Sequence, residues 1–202
     1  LEMMLSLEIL AAISGLISVF LLTKQNIWAW PTGLLSVGAA TIVFYDSFLY
    51  SDMLLHIYYM GMNIYGWIHW SRKSRTELPL PVTTISAWHN VKWVLISLVG
   101  TVLWGWTMSV NTDASFPYGD AFTTVASLVA MWLMAQKRLE NWAYWFVIDI
   151  VAISIYALKG LYLFSGQYLV FLILCVLGYR DWKRSMSSNL NVAGVSPTNS
   201  PG

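Results

Sequence analysis

The chain of 202 residues is 57% hydrophobic and only 10% charged, and its net charge is +1. Because soluble domains carry roughly 25% charged residues, so few charges exclude a surface that faces water on all sides. Most of the outer surface is therefore expected to face the lipid bilayer. The near-neutral charge argues against a nucleic-acid partner, and the single cysteine, Cys175, excludes an internal disulfide.

Seven apolar segments follow one another along the chain. An α-helix satisfies its own backbone hydrogen bonds inside lipid, and about 20 residues cross the hydrocarbon core. We therefore predict an all-α membrane protein with seven transmembrane helices. Several segments fall short of that length, so the helices are expected to extend into flanking aromatic residues. The predicted spans are Leu7–Leu22, Ile27–Tyr45, Met53–Trp70, Val91–Val110, Ala121–Ala135, Trp142–Leu158 and Tyr168–Tyr179.

The connections between these segments contain turn-forming and charged residues. The longest and most polar connection is Ser71–Ala87. The stretch Ser187–Gly202 is rich in Ser, Asn, Pro and Gly, so we expect a disordered tail or an appended sequence there. The first apolar run lacks the basic start and the cleavage site of a signal peptide, and it is therefore predicted to be a helix.

The distribution of Lys and Arg predicts the orientation of the helices. If the chain crosses the membrane seven times, one side collects every basic residue except Lys159. Cytoplasmic loops are enriched in Lys and Arg, so the N-terminus is expected outside and the C-terminus in the cytoplasm. The residues on the predicted cytoplasmic side are Lys24, Arg72, Lys73, Arg75, Lys92, Lys137, Arg138, Arg180, Lys183 and Arg184.

Residues that recur at a constant spacing indicate an internal repeat. An offset of 115 residues crosses an even number of predicted spans, so both copies have the same orientation. The fourth helix is then a linker, and we predict a 3+1+3 arrangement with two parallel three-helix repeats. The pairs at this offset are Asn26 with Asn141, Trp30 with Trp145, and Trp67 with Trp182. The predicted units are 1–70 (first repeat), 71–119 (cytoplasmic loop and linker helix), 120–186 (second repeat) and 187–202 (polar tail).

A carboxylate lies inside the sixth predicted span. A charge at that depth is costly unless it faces protein or water. At helical spacing, Asp149 shares one face with Trp142 and Trp145. This face suits a flat or cationic ligand, through stacking and cation–π attraction. The alternative is a hydrogen bond from Asp149 to a neighbouring helix, without any ligand.

Polar residues also interrupt the second and third predicted spans. His56, Tyr59, Asn63 and Trp67 recur on one face of the third helix, and Ser36 is the polar position of the second. Polar side chains in membrane helices face the protein interior. These residues are therefore candidates for substrate binding, and the alternative is that they form hydrogen bonds between helices.

Enzyme motifs are missing from the sequence. It contains no HExxH, no GxSxG and no glycine-rich phosphate loop. His56, His69 and His89 lack the spacing of metal ligands, and Cys175 has no nearby partner in the sequence. We therefore predict that the protein is not an enzyme and has neither a metal site nor a cofactor.

Three segments together resemble PnuC-type nicotinamide riboside transporters. Asn63–Arg72 resembles the end of the third helix of that family, and Glu140–Trp145 resembles the Glu-Asn-Trp-x-x-Trp motif that opens its sixth helix. Asp120–Met134 is similar to the fifth helix. The likeness extends from Leu10 to Lys183 and so covers nearly all of the chain.

The resemblance implies a multi-pass protein of the bacterial inner membrane with a SWEET-like 3+1+3 arrangement. The family carries nicotinamide riboside by facilitated diffusion, and a cytoplasmic kinase then traps the vitamin by phosphorylation. Members form trimers, which implies a homotrimer here. In the family the Trp-x-x-Trp region lines the vitamin site, which carries over to Trp142 and Trp145. Some family members have Asn at the position of Asp149, and Gln is often found at that of His56, so the identity of the vitamin stays open.

Nicotinamide riboside, a pyridinium cation on a ribose, is the expected substrate. Aromatic side chains near Asp149 would hold the ring, and Asn63, Ser36 or His56 would bond the ribose hydroxyls. Thiamine and riboflavin, which relatives of the family carry, also have flat rings and are alternative substrates. A membrane receptor or assembly subunit without transport, and a sugar carrier of the SWEET type, are alternative functions.

Overall fold

The computed structural model describes residues 2–46, 50–72 and 80–192, and within these residues the chain forms seven α-helices and no strand. Each predicted span coincides with one helix, so the predicted all-α fold is confirmed. The helices are α1 (Glu2–Thr23), α2 (Ala29–Asp46), α3 (Tyr50–Ser71), α4 (Ala87–Asn111), α5 (Pro117–Ala135), α6 (Asn141–Leu158) and α7 (Tyr162–Val192).

The last helix differs most from its prediction. α7 has 31 residues, whereas its predicted span was Tyr168–Tyr179. Neither Gly nor Pro interrupts the sequence between Gly178 and Gly194, so the helix continues through residues 187–192 of the predicted tail. The prediction of a disordered tail is therefore wrong for these six residues, and the hydroxyls of Ser187 and Ser188 donate to carbonyl oxygens of the preceding helical turn.

Parts of two predicted connections and of the predicted tail cannot be compared with the structure. The remainder of the predicted tail, 193–202, lies outside the described residues, as do 47–49 and 73–79 in the second and third predicted connections. Lys73 and Arg75, two of the predicted cytoplasmic basic residues, belong to the last of these segments.

Three of the described helices are individually long and apolar enough to cross a membrane. These are α1, α4 and α6, whose most apolar windows have a mean hydropathy of 2.3, 1.6 and 1.5. The other helices carry more polar and aromatic side chains, such as His56 and Asn63 of α3. Their place in the bundle depends on packing against neighbouring helices as well as on lipid contact.

The helices pack as two equivalent groups of three. In the first half α1 contacts α2 and α2 contacts α3, and in the second half α5 contacts α6 and α6 contacts α7. The halves meet through two contacts, α1 with α7 and α3 with α5. These two contacts are equivalent, because α1 corresponds to α5 and α3 corresponds to α7 in the repeat. Among the described helices α4 packs along α5, and it also accepts a hydrogen bond at Asn90 from the hydroxyl of Tyr144 on α6, at 2.9 Å. This pattern confirms the predicted 3+1+3 arrangement of two parallel repeats.

The two halves repeat at a spacing of 112 residues. In each half a buried tryptophan at the start of the second helix packs against a glycine and another tryptophan of the third helix. The predicted repeat is therefore confirmed, and its predicted offset of 115 residues is wrong. The equivalent pairs are Trp30 with Trp142, Gly66 with Gly178, and Trp70 with Trp182.

The error in the offset is about one helical turn. Trp142 and Trp145 are three residues apart on α6, and Trp67 and Trp70 are three apart on α3. Residues at this spacing lie on the same side of a helix, so the sequence alone was compatible with both offsets, 112 and 115 residues. Burial separates them, because Trp70 and Trp182 are 8% and 0% exposed, whereas Trp67 is 41% exposed.

Four tryptophans form one layer between the halves. The layer lies at the end of the bundle where α1, α3, α5 and α7 finish, which carries most of the Lys and Arg and is called the basic end. Neighbouring ring centroids are 5.1 Å apart for Trp30 and Trp70, 5.7 Å for Trp70 and Trp182, and 5.4 Å for Trp182 and Trp142. We call these four side chains the tryptophan layer.

Two hydrogen bonds from this layer cross between the halves. The indole Nε1 of Trp70 on α3 donates to the carbonyl oxygen of Ala135 on α5, at 3.0 Å. The Nε1 of Trp182 on α7 donates to the carbonyl oxygen of Leu22 on α1, at 2.9 Å. Each half therefore supplies one donor and one acceptor, and the two bonds follow the same repeat symmetry as the helix packing.

The segment 80–86 packs against the turn between α5 and α6. Thr83 pairs with this turn through backbone hydrogen bonds to Lys137 and Leu139, at 3.2 and 2.9 Å. The side chain of Lys137 is 4% exposed. Its Nζ donates to the carbonyl oxygen of Leu80 at 2.7 Å and lies 4.7 Å from the ring centroid of Trp70. Burial lowers the pKa of Lys137 to about 8.

Candidate functional site

A buried carboxylate lies halfway along α6. Asp149 is 2% exposed, and its Oδ2 accepts a hydrogen bond from Sγ of Cys175 on α7, at 3.2 Å. A thiol is a weak donor and cannot replace the hydration that an ionised carboxylate loses inside a protein. A group this costly to bury makes Asp149 a candidate functional residue in a membrane helix bundle.

Trp145 lies one turn from Asp149 on the same helix and joins the two parts of the core. Its half-buried ring packs against Ala126, Ala130 and Ile148, and also against the larger cluster that contains the tryptophan layer. The buried Nε1 of Trp145 has no hydrogen-bond partner among the described residues. An unpaired buried donor costs about 1–3 kcal/mol, which an acceptor on a bound ligand would offset.

The first half contributes His56 and Tyr59 of α3. The imidazole centroid of His56 lies 5.6 Å from the ring of Tyr59 and 4.7 Å from that of Phe44. The neighbouring ring of Tyr58, 6.0 Å from that of Tyr59, donates its hydroxyl to the carbonyl oxygen of Leu128 on α5, at 3.0 Å. These two predicted residues therefore lie together at the contact between α3 and α5, where the two halves meet.

Tyr168 of α7 connects the two groups. It lies near both Tyr59 and Asp149, and its ring stacks on that of Tyr156 with centroids 5.3 Å apart. The predicted residues Asp149, Trp145, Tyr59 and His56 therefore lie near one another and near Tyr168, where the two halves meet. We call these five residues the interhalf group.

The sequence interpretation missed Tyr168, and it dismissed Cys175 as having no partner. The corrected spacing of the repeat points to both residues, because it pairs each of them with a polar candidate in the first half. At a spacing of 112 residues Tyr168 is equivalent to His56, and Cys175 is equivalent to Asn63. The offset of 115 residues paired neither of them with a candidate.

Asn63 and Ser36 are engaged in helix packing. The Nδ2 of Asn63 donates to the carbonyl oxygen of Tyr59 at 2.8 Å, and its amide oxygen occupies the space beside Gly33 of α2. The hydroxyl of Ser36 donates to the carbonyl oxygen of Ala11 at 2.7 Å and joins α2 to α1. Ser36 therefore bonds between two helices, as the alternative reading expects, whereas Asn63 bonds within α3 and contacts α2 by packing.

Trp142 and Trp67 lie apart from the interhalf group. Trp142 is 1% exposed and belongs to the tryptophan layer, two turns from Asp149 toward the basic end. Trp67 lies on the outer surface of the bundle. The buried face of α3 passes through Asn63 and Trp70, seven residues apart, and Trp67 lies to one side of that face.

A surface depression of about 440 Å³ lies elsewhere, toward the end opposite the basic end. It is formed by the start of α5 and the last turns of α6, and its lining includes Phe116, Tyr118 and Leu158 but no charged side chain. Such a lining has no carboxylate to pair with a cation, so the interhalf group is the better candidate.

A family model described as nicotinamide mononucleotide transporter matches residues 5–184. The chain belongs to this family. Over 206 aligned residues it is 28% identical to the nicotinamide riboside transporter PnuC of Escherichia coli (strain K12), and the match covers 89% of this chain and 85% of that protein. It is also 28% identical, over 179 residues, to the riboflavin/roseoflavin transporter RibM of Streptomyces davaonensis, covering 87% and 83%.

The fold of the chain, a member of the nicotinamide mononucleotide transporter family, is also similar to that of a solved protein. A crystal structure of the vitamin B3 transporter PnuC matches with a TM-score of 0.73 and 26% identity, covering 90% of this chain and 82% of that one. The predicted resemblance is therefore confirmed, and so is the prediction that the chain is a transporter rather than an enzyme.

Proposed function

We propose that the protein carries nicotinamide riboside across the bacterial cell membrane by facilitated diffusion. The observation that carries this proposal is the buried carboxylate of Asp149, one turn from the aromatic ring of Trp145. A buried charge needs an opposite charge as its partner. Nicotinamide riboside brings a fixed positive charge on a flat ring, and the relative from Escherichia coli is named for this substrate.

Each member of the interhalf group has a role in this proposal. Asp149 neutralises the pyridinium cation, and Trp145 offers its ring for stacking and its unpaired Nε1 to a ligand oxygen. His56, Tyr59 and Tyr168 bond the ribose hydroxyls from the other side. Asn63, Ser36 and Trp142 support this site from the surrounding packing, and Trp67 takes no part in it.

The transport cycle follows from the repeat. The two halves rock against each other at the α1–α7 and α3–α5 contacts, so that the interhalf group faces each side of the membrane in turn. We assign the basic end to the cytoplasm because its loops concentrate Lys and Arg. Phosphorylation there would trap the vitamin, since a phosphate adds roughly two negative charges that Asp149 repels.

A homotrimer is part of the proposal. α4 packs mainly along α5 and exposes large apolar side chains, including Leu95, Val102 and Trp106. These surfaces suit contact with other copies as well as with lipid. The mass of the detergent-purified protein, measured by light scattering, tests this assignment, and a mass of one chain would refute it.

Binding by the purified protein tests the proposed substrate directly. Calorimetric titration with nicotinamide riboside, thiamine, riboflavin and nicotinamide mononucleotide should show tight binding of the riboside alone. Trp145→Ala should weaken that binding by about 1–3 kcal/mol. The matched control is Trp106→Ala, which removes a ring that is 61% exposed on α4. Equal affinity in both variants would refute the role of Trp145.

Riboflavin is the second candidate substrate, because the relative RibM is as similar in identity as the riboside carrier. Riboflavin is uncharged, so Asp149 has no cation to neutralise in that case. Flux into liposomes that contain only this protein separates the functions. Uptake of riboflavin without uptake of the riboside would change the substrate, and no uptake of any vitamin would favour a receptor without transport.

A further inference from the structure

The tryptophan layer closes the contact between the halves at the basic end. Its four side chains are 0–8% exposed, and each ring contacts the next, from Trp30 through Trp70 and Trp182 to Trp142. Trp142 lies two turns below Asp149 on α6, which is about 10 Å along the helix axis. A ligand that leaves the interhalf group toward the basic end therefore meets this layer.

Two glycines allow the layer to close without a gap. A Cβ at Gly66 would collide with the ring of Trp30, and a Cβ at Gly178 would collide with that of Trp142. The outer ring of each half thus lies directly on the backbone of the third helix in its own half. Even one additional carbon atom at either position would force the layer apart.

The crossed hydrogen bonds join the two halves across this layer. Trp70 and Trp182 donate to carbonyl oxygens in the last turns of α5 and α1, where a helix has no donor four residues further on. In contrast, the Nε1 atoms of Trp30 and Trp142 lack a partner among the described residues. The bonds that hold the layer closed are therefore those between the halves.

We propose that the tryptophan layer is the gate on the basic side of the transporter, and that the two crossed hydrogen bonds are its latch. This inference rests on the proposed transport function, since a gate requires a substrate path. The gate is closed in this structure. Opening it separates α1 from α7 and α3 from α5, and breaks both bonds of Trp70 and Trp182 together.

The only cysteine in the sequence provides a reporter of the gate. Cys175 is 4% exposed and bonds Asp149 behind the layer. A charged, membrane-impermeant maleimide reaches Cys175 from the basic side only when the gate opens. Its labelling rate is measured in inverted and right-side-out vesicles without substrate, so the test does not depend on which vitamin is carried.

Loss of either latch donor should speed this labelling. Trp70→Phe and Trp182→Phe remove the indole N–H and keep an aromatic ring. Because one hydrogen bond has a net contribution equivalent to roughly a five-fold change in an equilibrium constant, each variant should label on the order of five times faster in inverted vesicles. The two increases should be similar, since the bonds are equivalent. The control is Trp28→Phe, whose ring is exposed at the same end.

A second pair of variants keeps the test decisive if the tryptophan variants do not fold. Gly66→Ala and Gly178→Ala should also speed labelling in inverted vesicles, because the new methyl group forces the rings apart. Gly61→Ala on α3 and Gly166→Ala on α7 are matched controls, since a Cβ at either position has no atom within 4 Å.

The outcomes distinguish the gate from other readings. Faster labelling from the basic side only, in the layer variants and not in the controls, supports the proposal. Labelling that equals the controls, or that increases equally from both sides, would overturn it, because the layer would then be ordinary packing. Failure of nicotinamide riboside uptake with faster labelling would leave the gate standing and refute only the substrate.

Discussion

Replacing the buried Lys137 by methionine should remove one pH-dependent contribution to stability. Lys137 is almost fully buried between the segment 80–86 and the ring of Trp70. Burial lowers its pKa from the ordinary 10.5 to about 8. A difference of that size corresponds to about 3 kcal/mol between the charged and neutral forms. Below pH 8 the folded protein therefore bears the cost of a buried ammonium group.

The sign of the pH dependence follows from proton binding. Between pH 8 and 10.5 the unfolded chain keeps the proton on Lys137, whereas the folded protein releases it. The unfolded state then binds more protons, so the free energy of unfolding increases with pH across this window. This contribution is absent below pH 8, where Lys137 is charged in both states, and complete above pH 10.5.

Thermal unfolding of the detergent-purified protein at several pH values measures this effect. Between pH 7 and 10.5 the unfolding temperature of Lys137→Met should fall relative to that of the unmodified chain, because only the latter gains stability. Lys92→Met is the control, since Lys92 also lies near a tryptophan ring, with its Nζ 5.3 Å from that of Trp88, but is exposed. A parallel pH dependence in the unmodified chain and Lys137→Met would refute this account.

Two further predictions concern the interhalf group and the packing beside it. Asp149→Asn should weaken nicotinamide riboside binding by about 3 kcal/mol, the attraction of unit charges roughly 5 Å apart at an effective dielectric of 20. Asp113→Asn in an exposed loop is the control. Unchanged calorimetric affinity of Asp149→Asn would contradict the role of Asp149 in pairing with the cation. Gly33→Ala should destabilise the protein by about 1–3 kcal/mol, because the added Cβ overlaps the amide of Asn63. Gly38→Ala, where no atom lies within 4 Å of the Cβ, should leave the unfolding temperature unchanged in the same thermal assay, and equal losses in both variants would disprove the overlap.

The fold could be predicted from the sequence because lipid imposes strong constraints on composition. A helix satisfies its own backbone hydrogen bonds there, so the apolar segments located all seven helices. The end of α7 could not be predicted in this way, since Ser and Asn beyond Met186 occur both in exposed helix and in coil. The segment Ser187–Gly202 was therefore assigned to the tail on composition, although its first residues are helical.

The candidate site was predicted only in part. Asp149 and Trp145 were found because a carboxylate among aromatic residues is unusual in an apolar span. Trp67 and Trp142 resembled them in type and spacing. In the folded bundle Trp67 lies on the outer surface and Trp142 in the tryptophan layer, two turns from Asp149. Tyr168 required the correct repeat, and two tryptophans one turn apart had hidden that register.

The crossed hydrogen bonds have an evolutionary consequence. The position 112 residues before Ala135 is Thr23, which adjoins Leu22, the acceptor for Trp182. In a dimer of two separate first halves, Trp70 of each chain would therefore meet the end of α1 in the other chain. The crossed hydrogen bond would then form twice, once from each chain. A half-length ancestor could have assembled as a symmetric pair before gene duplication, with α4 acquired later to join the copies in one orientation.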